Sequence, residues 1–389
     1  MHQNKRTDVL IIGGGPAGLF LSTLYKNSII LEKEATPGKK LLLTGGGMCN
    51  FTHEGQPFEV IEHYFEKKVF VSSCLGKFPP DKIKDYFSQL GLESIKRKDG
   101  CVFPKSLKAE TLLNCLLDKA GEIITNTVIT SIKKEEELFI VETNNGGFIS
   151  KALVIATGGM SYPGTGSTGD GYKIAKSFAH KTVQPSPALS EIKLSFNTQA
   201  IEGVSLQDVE LKIGNKTSKG PLLFTKRGIS GPAAMFISRE IQAPTQMTIK
   251  FTELEEKELI FVKGTKSVKN VVKELTSLPL TLISTIVPFC DKQCSTLTKE
   301  ERKAVLNSIT AFSTEATTAG LLKIATVTRG GVDTSQINKK NFESKLVSNL
   351  FFIGEVLDVD GECGGYNLTF CFASAYSVAS ALFAKHLQQ

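Results

Sequence analysis

Three glycines near the N-terminus, Gly13, Gly15 and Gly18, have the spacing G-x-G-x-x-G between an apolar run and a helical pattern. The apolar residues 9–12 predict a strand that is buried on both faces, and residues 19–24 continue with helical spacing. A turn of this kind brings a pyrophosphate against the backbone and the helix N-terminus. The motif therefore predicts a dinucleotide site, in which we include Pro16 and Ala17.

A second predicted strand, residues 28–31, ends in Glu32, which lies 19 residues after Gly13. This spacing is close to that of an acidic residue that binds a ribose hydroxyl in dinucleotide-binding folds. The alternative is a glycine turn without a ligand and a solvated carboxylate. We predict that the adenosine diphosphate half of a dinucleotide binds here, with Lys33 nearby, and these residues leave NAD and FAD both open.

The composition is ordinary for a globular protein of two or three domains. The chain has 389 residues, of which 41% are hydrophobic and 22% charged. We find no signal peptide and no apolar run of the roughly 18 residues that a membrane span needs. The eight cysteines are scattered, which favours reduced thiols in the cytoplasm, and no metal site is predicted. The net charge of +7 fits an anionic partner such as nucleic acid, or compositional drift.

A glycine loop follows Glu32 and carries a cysteine that is a candidate for a chemical role. Gly46 is the middle of three consecutive glycines, whose backbone can lie against a flat ligand. Cys49 and Asn50 follow it, and Lys40 precedes it. Lys40 is interpreted as a phosphate ligand or as a solvated lysine. Cys49 has a chemical role or is a small buried residue.

A buried strand over residues 152–156 runs into Thr157, Gly158 and Gly159, where a chain commonly crosses beneath a bound dinucleotide. We predict another strand over residues 123–132, in which Val128 is a further cofactor candidate. Short alternating strands over residues 189–261 predict an inserted β domain, and residues 267–312 are helical. Lys226 and Arg227, in the β region, face an anionic substrate or form a solvated turn.

The C-terminal part begins as a buried strand at residue 350 and continues into an acidic glycine loop and a helix over residues 368–386. Gly354, Glu355 and Asp358 suit a ribityl chain, because carboxylates accept hydrogen bonds from its hydroxyls. The helix N-terminus stabilises the negative charge of a reduced flavin. This region favours FAD over NAD as the tightly bound cofactor.

These motifs together resemble the YhiN/BaiN-like flavoproteins, also labelled the aminoacetone oxidase family, over nearly the whole chain. The six that carry the resemblance are Ile11-Ile-Gly-Gly-Gly-Pro-Ala-Gly, Thr44-Gly-Gly-Gly-Met-Cys-Asn-Phe-Thr, Thr165-Gly-Ser-Thr-Gly-Asp-Gly-Tyr, Phe224-Thr-Lys-Arg-Gly-Ile-Ser-Gly-Pro, Val327-Thr-Arg-Gly-Gly-Val and Gly354-Glu-Val-Leu-Asp-Val-Asp-Gly.

The resemblance implies an α/β fold with a Rossmann-like FAD-binding domain of the glutathione-reductase type, interrupted by a β-barrel-like domain and a small helical domain. The expected FAD-binding parts are residues 1–187 and 322–389, the β domain 188–262 and the helical domain 263–321. Gly13, Gly15, Gly18 and Glu32 would hold the adenosine diphosphate. The residues expected near the isoalloxazine ring are Gly46, Cys49 and Asn50, and those expected at the ribityl and pyrimidine end are Gly354, Asp358, Gly365, Tyr366 and Asn367.

The chain departs from the family pattern at a few positions. Met48 and Cys101 stand where the family often has Arg, and Glu362-Cys363 replaces residues that are commonly small or apolar. The loss of a cation at Met48 puts any charge contact from that position in doubt.

Members of the family are described as amine or aminoketone oxidases, as reductases of steroid-like enones, and as dihydrouridine-forming reductases of ribosomal RNA. We predict the third activity, with hydride passing from flavin N5 to C6 of a flipped uracil and Cys49 as the acid that protonates C5. The alternatives are a small-molecule flavin oxidase or reductase, and a flavin-bound RNA or ribosome interaction protein without turnover. No second clear G-x-G-x-x-G is present, so the sequence does not decide whether transiently bound NAD(P)H or another reductant supplies the electrons. The sequence does not indicate the oligomeric state.

Overall fold

A computed structural model describes residues 4–241, 244–260, 264–318 and 320–386 of the chain. The described residues divide into two compact units: those up to Ser186 together with those from Val327 onward, and Pro187–Thr326. The chain thus leaves the first unit once and returns to it. The predicted boundary between residues 262 and 263 lies outside the described residues, as do both chain ends.

A seven-stranded sheet forms the centre of the first unit. Its strand order is Glu122–Ile124, Ser28–Leu31, Lys5–Ile12, Gly146–Ile155, Leu138–Thr143 and Ile129–Glu135, with Leu350–Phe352 also pairing with Gly146–Ile155. The first strand, Lys5–Ile12, pairs in parallel with both neighbours, and its last four residues are buried. This confirms the predicted strand buried on both faces, the arrangement typical of a sheet covered by helices.

The helices of the first unit are Pro16–Leu24, Pro57–Ile61, Lys68–Lys77, Pro80–Gln89, Ala109–Leu117, Asp170–Ser177 and Tyr366–His386. A small antiparallel sheet is formed by Thr52–His53, Cys101–Pro104 and Ser94–Lys96, and Thr182–Ala188 pairs with Val327–Val332. The C-terminal helix packs against Pro16–Leu24. Over Tyr366–Lys385 it has the length and composition of a membrane span, but 67% of its apolar stretch is buried inside the protein, as in a core helix.

The strand predicted over residues 123–132 is wrong as a single element. The structure has two strands there, Glu122–Ile124 and Ile129–Glu135, at opposite edges of the sheet. The chain turns between them at Asn126, where φ is +53°, and the Thr127 N–H donates to the Glu32 carbonyl at 2.9 Å. The two apolar stretches are continuous in sequence, so their alternation alone did not reveal the break.

The second unit contains a closed six-stranded barrel. Its strands, in order, are Ile192–Leu194, Gly228–Ser230, Lys216–Thr225, Ser205–Ile213, Thr245–Lys250 and Phe312–Thr318. The helices of this unit are Pro232–Ile237, Glu256–Ile260, Val268–Thr276, Leu280–Ile286 and Lys299–Thr310. The last begins with the predicted capping box, in which Thr298 and Glu301 each accept the other's backbone N–H.

One part of the predicted helical domain belongs to the barrel instead. Phe312–Thr318 lies within the predicted helical range 263–321, but it pairs with Thr245–Lys250 and with Ile192–Leu194 and so closes the barrel. The helices are therefore inserted between two barrel strands. A seven-residue strand far along the chain from its partners leaves no local signal of that pairing.

Candidate flavin site

The three motif glycines have different surroundings. At Gly13, where φ is +108°, a Cβ atom would lie 2.6 Å from the Ala156 carbonyl oxygen, and at Gly18 it would lie 2.1 Å from the Gly13 oxygen. At Gly15 the nearest atom, the Ala156 oxygen, would be 4.0 Å away. Gly13 and Gly18 are thus required by the packing of the protein itself, whereas Gly15 has an open side that a ligand can approach.

The first helix begins at this open position. Its N-cap residue is Gly15, which has no side chain that could cap the helix, and Pro16 occupies the first turn. The backbone N–H groups of such a turn, with the helix dipole, form an anion site for a pyrophosphate. Ala17 packs on the loop after the last strand, since a Cβ at Gly354 would lie 3.0 Å from the Ala17 Cβ. The phosphate turn and the acidic loop are therefore in contact.

Glu32 lies at the end of its strand with its carboxylate fixed beside the glycine turn. Oε2 accepts the Gly14 N–H at 2.7 Å and Oε1 accepts the Glu34 N–H at 2.8 Å. A carboxylate has about four acceptor positions, so each oxygen keeps capacity for a ribose hydroxyl. Val128, with half of its side chain exposed, follows Thr127, which bonds to the Glu32 carbonyl.

Lys33 is directed elsewhere. Its ammonium donates to Asp170 Oδ2 at 2.6 Å and to the Thr168 hydroxyl. Burial alone would raise the pKa of Asp170, but the hydrogen bonds from Lys33 and Thr168 outweigh it and lower the pKa below its ordinary value. Lys33 therefore connects the loop before Asp170–Ser177 to the end of the second strand. Because its ammonium is engaged there, the structure adds no support to the prediction that Lys33 binds the cofactor.

Lys40 and Glu355 form a partly buried network with Ser161 and Thr328. Lys40 Nζ donates to both Glu355 carboxylate oxygens and, at 2.6 Å, to the Ser161 hydroxyl. The Thr328 N–H donates to Glu355 Oε1 at 2.9 Å. A Cβ at Gly159 would lie 2.3 Å from the Thr328 hydroxyl, so glycine there lets the network close. Lys40 is thus neither a free phosphate ligand nor a solvated lysine.

Thr157 and Gly158 precede Gly159. The Thr157 backbone lies against the glycine turn, because a Cβ at Gly13 would lie 3.0 Å from the Thr157 Cα. Its hydroxyl points away, to within 2.1 Å of a Cβ built at Gly171. Gly158 has a φ of +68°. This segment supports the phosphate turn through its backbone and offers it no side chain.

The glycine loop exposes backbone where a flat ligand is expected. Gly46 has a φ of +66°, and a Cβ built there meets nothing within 4 Å. The buried Asn50 Oδ1 has no hydrogen-bond partner among the described residues, and it lies 2.8 Å from a Cβ built at Gly365. An open backbone surface beside an unpaired acceptor fits a heterocycle that carries N–H groups.

Cys49 is completely buried beneath this loop. Its N–H donates to the Thr44 carbonyl at 2.9 Å, and its φ is +58°. Burial raises the pKa of the Cys49 thiol to about 12, against a smaller opposing effect of a hydrogen bond with Thr44. The assignment of Cys49 as the acid stays a prediction. Its surroundings are those of the alternative, a small buried residue.

Asp358 and Asn367 have protein partners. Lys67 Nζ lies 2.5 Å from Asp358 Oδ2, and the Asn367 side chain donates to the Gly361 carbonyl and accepts the Gly361 N–H, both at 2.9 Å. Asn367 therefore closes the loop over residues 361–365 with both ends of its amide. That role differs from the predicted contact with the pyrimidine ring.

A cluster of three rings stands at the start of the C-terminal helix, and sequence reasoning missed it. The Tyr366 ring centroid lies 4.2 Å from that of His63, with 15° between the planes, and 4.9 Å from that of His53, with 20° between the planes. The two histidine centroids are 6.3 Å apart. His63 Nδ1 donates to Glu362 Oε2 at 2.7 Å. Burial raises the pKa of Tyr366 far above its ordinary value, so its ring is neutral. No local pattern links residues 53, 63 and 366.

The residues present fit FAD. The open side at Gly15, the uncapped helix start, the anchored Glu32 and the open loop around Gly46 with Asn50 supply the contacts that a dinucleotide joined to a flat ring requires. Fold and site together define a Rossmann-type flavin-dependent oxidoreductase. The fold resembles that of a flavocytochrome c3 fumarate reductase, with a TM-score of 0.53 and 19% identity over 100% of this chain and 80% of that one.

Residues 7–381 match the model of the HI0933-like protein Rossmann domain, so the chain belongs to the HI0933-like family of FAD-dependent oxidoreductases. Proteins named ribosomal RNA dihydrouridine synthase are 29% identical in Escherichia coli and 32% identical in Haemophilus influenzae, over 98% and 97% of this chain and 99% of each relative. A 3-dehydro-bile acid delta(4,6)-reductase of Clostridium scindens is 27% identical over 95% of this chain and 98% of its own. The resemblance stated above is confirmed.

Proposed function

We propose that this protein reduces a uridine of ribosomal RNA to dihydrouridine. The observation that carries the proposal is the match to two proteins with that named activity, along nearly the full length of each chain. The site described above supports it, through the open Gly15 turn, the anchored Glu32 and the open loop around Gly46. The protein would work in the cytoplasm, where ribosomes are.

The reaction adds a hydride to C6 and a proton to C5 of a ring whose double bond is conjugated with a carbonyl group. Bound FAD, once reduced, supplies the hydride from N5. The chain's own residues would hold the pyrophosphate at the first helix and orient the ribose through Glu32, and the Gly46 backbone is open where the ring would lie. A base that is stacked in RNA must leave its stack to reach such a site.

The basic residues of the barrel support an RNA partner. Lys226 and Arg227 lie in the turn between Lys216–Thr225 and Gly228–Ser230, and together with Lys193 they line one shallow depression. Three cations on one surface attract phosphate groups and make binding salt-dependent. This favours the interpretation of the basic pair as a contact for an anionic substrate over that of a solvated turn.

We propose a nicotinamide dinucleotide as the electron source. The test is anaerobic: NADH or NADPH is added to the purified protein and loss of the oxidised flavin absorbance is followed. Bleaching within seconds by either nucleotide supports the proposal. An unchanged spectrum that dithionite then bleaches would point to another reductant.

A second candidate function is the reduction of a small enone, favoured by the relative named 3-dehydro-bile acid delta(4,6)-reductase. The chemistry is shared, because a uracil ring and an enone both accept hydride at the carbon β to a carbonyl group. The two substrates differ in charge and size. The RNA proposal therefore depends on the basic surface, whereas the enone proposal does not.

The decisive experiment is mass spectrometry of ribosomal RNA nucleosides from a strain that lacks the gene and from its parent. Loss of one dihydrouridine, restored by the wild-type gene and not by a Gly15→Val gene, would support the proposal. An unchanged dihydrouridine content would overturn it. Enone reduction by the purified protein would then identify the small-molecule alternative, and FAD retention without either turnover would indicate an interaction protein.

A further inference from the structure

His63 is held by a carboxylate in the manner of a catalytic imidazole. Its Nδ1 lies 2.7 Å from Glu362 Oε2, and the Glu362 N–H donates to the His63 carbonyl at 3.1 Å. A carboxylate in this position accepts, so Nδ1 carries the hydrogen and Nε2 is the nitrogen left for other chemistry. Within the part of the chain that the structure describes, His63 Nε2 has no hydrogen-bond partner.

The ring of His63 is also fixed in its plane. It stacks on Tyr366, which is 3% exposed and whose backbone carbonyl accepts the Tyr64 hydroxyl at 2.7 Å. The His63 side chain itself is 36% exposed. An imidazole fixed by a carboxylate and a stacked ring, yet still accessible, is a preorganised proton donor or acceptor.

The stack adjoins the ring end of the flavin site. Tyr366 follows Gly365, and a Cβ at Gly365 would lie 2.8 Å from the unpaired Asn50 Oδ1. A Cβ at Gly364 would lie 2.7 Å from the Tyr366 ring. Tyr366 thus contacts both His63 and the loop segment that meets Asn50, where the flat ligand is expected.

We propose that His63, oriented by Glu362, is the general acid that protonates the reduced substrate. The inference rests on the proposed function. As hydride is delivered to C6, the electrons of the C5–C6 double bond take the proton from Nε2–H of the His63 imidazolium, forming the C5–H bond. His63 is left neutral, with Nδ1–H still donated to Glu362, and water returns a proton to Nε2.

The charged and titratable groups that face His63 come from three elements. Glu362 belongs to the loop over residues 361–365, and Tyr366 belongs to the C-terminal helix. His53 belongs to the strand Thr52–His53, and its ring centroid is 6.3 Å from that of His63. The neighbouring Cys363 belongs to the same loop as Glu362. Glu362 is the carboxylate that bonds to the ring.

The variants that test this are His63→Gln and Glu362→Gln, with Glu62→Gln as the matched control. Glu62 precedes His63 in the chain, but its carboxylate is 65% exposed and pairs with Lys68. FAD content, read from the flavin absorbance, and the rate of flavin reduction by NAD(P)H should be unchanged in all three. Reoxidation of the pre-reduced protein by uridine-containing ribosomal RNA, or by a small enone, should slow by about 10²–10⁴ in His63→Gln.

The pH profile distinguishes an acid from a structural residue. In the wild type, reoxidation by substrate should decline as rising pH deprotonates the imidazole, and His63→Gln should lose that decline. A wild-type reoxidation rate and profile in His63→Gln would overturn the inference while the proposed function stands. A wild-type protein that neither RNA nor enone reoxidises would instead overturn the proposed function, and the inference with it.

Discussion

Lys40 donates to both carboxylate oxygens of Glu355, at 2.7 and 2.8 Å, although the two residues are 315 positions apart in the chain. Their side chains are only 19% and 16% exposed. The pair joins the glycine loop after the second strand to the loop after the last strand. The two chain segments that frame the expected ring site are therefore held by one ion pair.

Breaking this pair from one side should be more harmful than removing both charges. Lys40→Met leaves the Glu355 carboxylate partly buried without its cation, which should lower the free energy of unfolding by about 3 kcal/mol, since residual solvent screening limits the cost. Lys40→Met combined with Glu355→Gln should recover part of that loss. Urea unfolding of the FAD-free proteins measures both values.

The control for this pair is Lys105→Met, which removes a lysine whose bridge to Glu93 is exposed on both sides. Its effect on the free energy of unfolding should be small compared with that of Lys40→Met, because an exposed pair is screened by solvent. A loss in Lys105→Met as large as that in Lys40→Met would show that the network around Glu355 has no special role in stability.

The glycine motif should separate cofactor binding from folding. Gly15→Val places its side chain toward the open side, so the protein should fold with near-normal stability and lose FAD. Gly18→Ala forces a Cβ to 2.1 Å from the Gly13 oxygen, and overpacking of this kind costs about 1–3 kcal/mol. Flavin absorbance measures the FAD content of the two variants, and thermal unfolding measures their stability. A yellow Gly15→Val protein would show that the phosphates bind elsewhere.

Prediction from sequence succeeded where the signal is local and failed where contacts are distant. The strand, glycine turn, helix and Glu32 lie within some 30 residues, and each step has its own spacing rule. The contact between His63 and Glu362 joins residues 299 apart, and neither lies in a motif that names the other. Lys67, the partner of Asp358, was missed for the same reason.

Residue type also misled where burial decides the role. Cys49 follows the glycine loop, so a thiol acid was a reasonable prediction, and only its complete burial favours a packing role. Asn367 was expected to contact a ligand, but both ends of its amide bond to Gly361. A polar side chain near a predicted site is a candidate until its hydrogen bonds are accounted for.

Cys49→Ala distinguishes the two candidate acids. If His63 is the acid, Cys49→Ala should keep FAD and reduce substrate within a few-fold of the wild-type rate, with the modest stability loss of a buried cavity. Cys74→Ala is the matched control, because Cys74 is also fully buried and burial raises the pKa of its thiol to about 12. A loss of substrate reduction by about 10²–10⁴ in Cys49→Ala alone would restore the thiol as the acid.

Alkaline pH should destabilise the protein through its buried thiols. Burial raises the pKa values of Cys49, Cys74 and Cys371 to about 12, whereas an unfolded thiol titrates near 8.5. Their contribution to stability is therefore complete below about pH 8.5 and is lost as pH rises toward 12, because the unfolded chain releases the protons first.

The slope of that loss can be measured between pH 9 and 10.5. Each of the three thiols should contribute up to about 1.4 kcal/mol per pH unit to the decline in the free energy of unfolding. Cys74→Ala should remove one such contribution. Equal slopes in the wild type and in Cys74→Ala, measured by urea unfolding at several pH values, would contradict this account.

Lys226→Ala combined with Arg227→Ala should weaken RNA binding more than it affects the chemistry. The pair lines a depression of the barrel together with Lys193, and loss of two phosphate contacts should lower the slope of log affinity against log salt by roughly 1 to 2. Enone reduction should be unchanged, because an uncharged substrate gains nothing from these cations. Lys257→Ala with Lys266→Ala, which removes two lysines already paired with Glu255 and Glu274, controls for net charge. If both double variants show the same salt slope, RNA does not bind at this depression.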